Sequence, residues 1–124
     1  MRDIEFRGKN KCDNTWHYGY LVYVPADNSY KITQGKEISY FVETDTIGQY
    51  TGLKDKNGTK IFEGDIVRIS DWFIDVVIFT NGCFCMKEQI MHYEFTYQDF
   101  ETIEVIGNIH DNPELLGGTD EDNA

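Results

Sequence analysis

Cys83 and Cys85 stand one residue apart, a spacing that puts two thiols on the same side of an extended strand. Cys12 or His92 could add further ligands, and together such groups could hold zinc. Structural zinc sites usually draw on two tight cysteine pairs, and this chain has one. Cysteine is also among the residue types most often buried, so we expect strand-face thiols and no metal. His17, His92 and His110 are scattered, and none adjoins a Ser or Cys in a nucleophile motif. No catalytic residue is therefore expected, and the chain reads as non-enzymatic. Glu63 and Asp65 flank Gly64 and could bind a cation or exchange a proton. An acidic residue before a strand more often caps its own turn, and that is the expectation here. Gly48, Gly52, Gly58 and Gly64 are spaced for turns, with no phosphate-cradling glycine loop before a helix, so no nucleotide or other cofactor is expected.

The remaining candidate site is cationic. Lys54, Lys56 and Lys60 cluster around one turn, with Tyr50 and Phe62 nearby, and small barrels grip single-stranded nucleic acid with such cation-aromatic combinations. Asp55 and Glu63 dilute this patch, and a net charge of −11 opposes phosphate binding by the whole molecule. Lysines at a hairpin also keep a sheet edge from pairing with other chains. Nucleic acid binding through Tyr50 and the three lysines is thus the alternative, not the leading, reading.

Charge is unevenly spread. Residues 88–124 hold ten acids and no Lys or Arg, while residues 1–87 hold twelve acids against eleven bases. An acidic third of this kind is either a solvated surface or a face that meets a basic partner. Eight Tyr, eight Phe and two Trp favour strands and exclude disorder for most of the chain. Three cysteines without framework spacing suit a reducing compartment. The charged opening Met1–Arg7 lacks the apolar core of a signal peptide, and no apolar run nears the roughly 20 residues of a membrane span. A cytoplasmic protein without membrane contact is expected.

The elements that carry these residues read mainly as strands. Ile4–Arg7 alternates apolar and charged residues. Trp16, Tyr18, Tyr20, Val22 and Val24 form one aromatic or β-branched side of a long strand, predicted as its buried face, with His17 on the exposed one. Pro25–Ser29 is a connection, followed by strands at Tyr30–Thr33 and Ile38–Glu43. Asn57-Gly58 and Asn81-Gly82 predict two-residue type I′ hairpins. Further strands are expected at Ile66–Ile69, Asp75–Thr80, Cys83–Lys87 and Ile103–Ile109. Met91–Glu101 fits a strand or a helical turn. Asn112 should cap a short helical turn begun by Pro113.

The run Ile47–Gly58, continuing through Ile61–Val67, resembles the YopX family, as does the ending Ile103–Leu116. Arg2–Lys9 with Trp16–Tyr20 resembles the start of the same family, so the likeness spans all but about Ser70–Glu101. The resemblance implies a small protein encoded by phages or prophages, with a C-terminal barrel of SH3 type and no assigned catalytic residues.

Together these readings give a mostly β protein: an N-terminal β subdomain over 1–46, an SH3-like barrel over 47–117, and an acidic mobile tail over 118–124. The expected function is a phage-encoded protein-interaction module. So many aromatic residues on a small chain exceed what one core buries, so a homo-oligomer is expected, alongside an unidentified host or phage protein as partner.

Overall fold

A computed structural model describes residues 4–70, 73–80, 82–87 and 103–116. Within them the chain is β throughout, with ten strands and two short 3-10 turns. It divides into two compact units, Met1–Gly52 and Leu53–Ala124.

The first unit holds β1 (Phe6–Lys9), β2 (Trp16–Val24), β3 (Ser29–Thr33) and β4 (Ser39–Val42), then the 3-10 turn Thr44–Thr46. β5 (Gly48–Lys54) begins here and ends in the second unit. The order β4-β3-β2-β1-β5 is antiparallel at every step. Beyond β1 the chain swings across to β4. Asn10 and Val42 form an antiparallel bridge, the Lys11 N–H donates to Phe41 O (3.0 Å), and the Glu43 N–H donates to Lys9 O (2.9 Å). The first four strands thereby close into a ring, which removes the free edge of β4.

That closure decides which side of β2 is inside. Ile32 and Val42 fill the interior and are fully buried. Gly8 and Gly19 face the same interior, because added Cβ atoms would lie 2.9 Å from Val42 Cβ and 2.2 Å from Thr33 O. In register with Ile32 and Val42, the inner side also carries Leu21, Tyr30 and Tyr40. The Trp16–Val24 side predicted as buried is therefore the outer one, with Tyr20 68% exposed. His17, predicted as exposed, lies on the inner side and is half-buried. Its ring stacks on Tyr40 at 3.6 Å between centroids and 12° between planes.

The second unit starts with the end of β5 and β6 (Lys60–Phe62). β7 (Asp65–Ser70), β8 (Phe73–Thr80), β9 (Cys83–Met86) and β10 (Glu104–Asn108) form an antiparallel sheet ordered β10-β7-β8-β9. Ile61, Val67, Val77, Met86 and Ile103 make its core, with Leu53, Ile69 and Val105 packed against them. This sheet and the hairpin before it fit an SH3-like small barrel.

Two turns differ from their prediction. Between β5 and β6 the loop has three residues, not two. Gly58 N–H donates to Asp55 O (3.0 Å), Asp55 N–H to Thr59 O (2.8 Å), and only Gly58 has a positive φ (86°). This is a turn followed by a left-handed glycine, so Asn57 needs no positive φ. The second hairpin keeps Thr80 opposite Cys83, as two-residue spacing requires, and Gly82 has φ 81°. Asn81 and the Met91–Glu101 segment lie outside the described residues. The 3-10 turn Pro113–Leu116 forms as expected, but not through an Asn112 side-chain cap. Asn112 Oδ1 turns back to accept the Asn108 N–H (3.1 Å), while its carbonyl accepts the Leu115 N–H (3.0 Å). No helix among the described residues is long and apolar enough to cross a membrane.

Candidate interaction surface

The lysine hairpin presents charge without a stacking surface. Lys54 and Lys56 are exposed and Lys60 is half-buried, all within the β5–β6 hairpin. Tyr50, the ring expected to join them, is only 4% exposed, and Phe62 is buried in the second unit. The Tyr50 backbone N–H donates to Glu5 O (2.8 Å). Nor does Asp55 dilute the patch at the surface. Its carboxylate is buried and accepts three backbone N–H groups, from Asn57 (2.9 Å), Thr59 (2.9 Å) and Val105 (2.8 Å).

Asp65 is likewise structural. Its Oδ2 accepts the Phe62 N–H at 2.7 Å, closing the turn around Gly64, which has φ 94°. Glu63 beside it is half-buried. Cys85 is buried, Cys83 is half-buried with Sγ 3.6 Å from Thr80 O, and Cys12 is exposed in the other unit. Among the described residues no cluster of three His, Cys, Asp or Glu side chains is placed to hold a metal. His92 lies outside those residues, and His110 has its N–H on Asn108 Oδ1 (3.0 Å).

The surface that the structure does assemble is the outer side of the β1–β4 ring. Tyr18 sits opposite Arg7, Tyr20 opposite Thr33, and Val22 opposite Lys31, which in turn faces Phe41. Tyr18, Tyr20, Val22 and Phe41 are all exposed. Lys31 Nζ lies 5.9 Å from the Phe41 ring centroid and Lys9 Nζ 5.6 Å from that of Trp16, so half-buried cations are interleaved with the rings, whereas Arg7, 4.7 Å from the Trp16 centroid, is buried. β2, β3 and β4 contribute no carboxylate to this side. The face is thus apolar and positively charged on a strongly acidic chain. The alternating residues of β2 show it in the sequence. The glycines Gly8 and Gly19 were the signal that the opposite side lies against a tight interior.

A closed antiparallel ring followed by a four-stranded sheet, with an exposed apolar face on the ring, defines a small, mostly β protein. The YopX protein family matches residues 5–117, and the chain belongs to it. The match includes the stretch around Ser70–Glu101, where no motif is legible. A crystal structure of protein EF1440 from Enterococcus faecalis is similar over 94% of this chain and 100% of its own, with a TM-score of 0.64. At 24% sequence identity that likeness shows a shared fold. No curated protein matches the chain.

Proposed function

We propose that this protein is a non-enzymatic, self-associating interaction module, encoded by a phage or prophage and acting in the cytoplasm of the bacterial host. The observation that carries the reading is the outer face of the first ring, where Tyr18, Tyr20, Val22 and Phe41 are exposed side by side. Exposed apolar patches on small proteins mark interfaces, because covering them removes apolar area from water at about 25 cal/mol per Å². The likeness to a phage-associated family supports the origin. Nucleic acid binding by Lys54, Lys56 and Lys60 is the weaker reading, since the hairpin offers no exposed ring.

The test is a pair of substitutions, Tyr20→Ser with Phe41→Ser, compared with the parent chain by sedimentation at micromolar concentration. The reading expects a parent assembly that falls to a single chain of 14.4 kDa in the variant, with unchanged circular dichroism. Equal masses for both proteins would contradict it.

A further inference from the structure

The outer face of the first ring calls for a partner that is aliphatic and acidic. Two copies of the face pressed together would bring Lys31 of one against the cations of the other, and like charges in a closing interface are unfavourable. The same chain carries a surface of the complementary kind. At the end of β10 and the 3-10 turn, Ile109, Leu115 and Leu116 are exposed large aliphatic side chains. Asp111 and Glu114, also exposed, stand among them. Asn108 fixes this corner: its Oδ1 accepts the N–H groups of His110 (3.0 Å) and Asp111 (2.9 Å), and its Nδ2 donates to Asp111 Oδ2 (3.2 Å). The corner is therefore held in one shape with Asp111 and Glu114 exposed, in a third of the chain that has ten acids and no Lys or Arg.

Resting on the reading that the aromatic face is covered by another copy, we infer that it seats the Ile109–Leu116 corner of that copy. The contact is head-to-tail, with Tyr20 and Phe41 against Leu115 and Leu116, and Lys31 towards Asp111 and Glu114. Each chain then offers one face and one corner, and such heterologous contacts build rings, or filaments where the rotation does not close. Since part of the attraction is between exposed charges, salt weakens it.

Charge reversal with complementation tests this arrangement on the full chain. One variant is Lys31→Glu; the other combines Asp111→Lys with Glu114→Lys. Each alone is expected to dissociate at least tenfold more readily than the parent in sedimentation, because face and corner then carry the same sign. An equimolar mixture is expected to regain assembly, since each altered surface meets the oppositely altered one. Melting temperatures close to the parent's establish that both variants are folded. A corner variant that keeps the parent's mass overturns the head-to-tail contact. If Tyr20→Ser with Phe41→Ser still dissociates that assembly, self-association through the face survives and only the corner is wrong. A mixture that stays dissociated also overturns the inference. A parent chain that is monomeric, and binds a thymidine oligonucleotide in a manner lost on Lys31→Glu, overturns both readings and puts a single strand on the face.

Discussion

Asp55 and Val105 are fifty residues apart in the chain and joined by one hydrogen bond, from the Val105 N–H to Asp55 Oδ2 at 2.8 Å. The same carboxylate turns its other oxygen to the hairpin loop, where Asn57 and Thr59 donate to it. One side chain thus shapes a local turn and ties it to β10. Close by, Lys56 N–H donates to Ile103 O (3.0 Å), so the hairpin is fixed at two points.

Replacing Asp55 with Ala strands three backbone donors, and we expect a loss of about 3 kcal/mol or more in urea unfolding. Asp55→Asn keeps one acceptor for the loop but sets an amide NH2 against the Val105 N–H. A smaller loss, about 1–2 kcal/mol, is expected. Equal losses would mean that the two loop bonds contribute nothing, and an Asp55→Asn protein as stable as the parent would mean the same of the link to Val105.

Gly19→Ala should be far more damaging than Gly8→Ala. At Gly19 a Cβ would meet the backbone oxygen of Thr33 at 2.2 Å, and a main chain cannot yield without breaking the β2–β3 ladder. At Gly8 the obstacle is Val42, with its Cβ at 2.9 Å and its two methyls at 3.0 Å, and only the methyls can be trimmed. We expect about 1–3 kcal/mol for Gly8→Ala, partly recovered when Val42→Ala is added in a double-mutant cycle. A Gly19→Ala protein as stable as the parent would contradict this close approach of Thr33 to Gly19.

Asp13 should titrate below the usual aspartate range. The Thr15 hydroxyl and then the Thr15 N–H donate to its Oδ1, at 2.8 and 3.1 Å, and hold its charged form. The bonds are thus present above the ordinary aspartate pKa and lost as pH falls through the lowered one. Carbon NMR of the carboxyl group is the measurement, and Thr15→Val should move the midpoint upward. No movement would remove Thr15 as the cause.

Triple substitution of Lys54, Lys56 and Lys60 by Ala should leave anisotropy with a single-stranded oligonucleotide unchanged, at a baseline without binding near physiological salt. Tyr50 and Phe62, the rings expected to stack bases beside the lysines, are buried. Tight, salt-sensitive binding that the triple variant loses would reinstate the hairpin as a nucleic acid site.

Alternation along Trp16–Val24 revealed the strand and its two sides, but a period of two cannot tell inside from outside. That was settled by the Asn10–Val42 bridge, a contact between distant segments. Asn57-Gly58 marked the hairpin correctly while its loop length depended on Asp55, whose carboxylate binds the loop from one residue before it. The YopX motifs pointed to the family through residues that build turns, Gly58 and Gly64 among them. They did not indicate the outer face of the first ring, because its exposed rings differ from core residues only in which way the strand lies.

Light scattering on the parent chain at micromolar concentration tests self-association most directly. The account predicts a mass of several times 14.4 kDa that declines as salt is added. A mass of one chain, unchanged by concentration or salt, would contradict it.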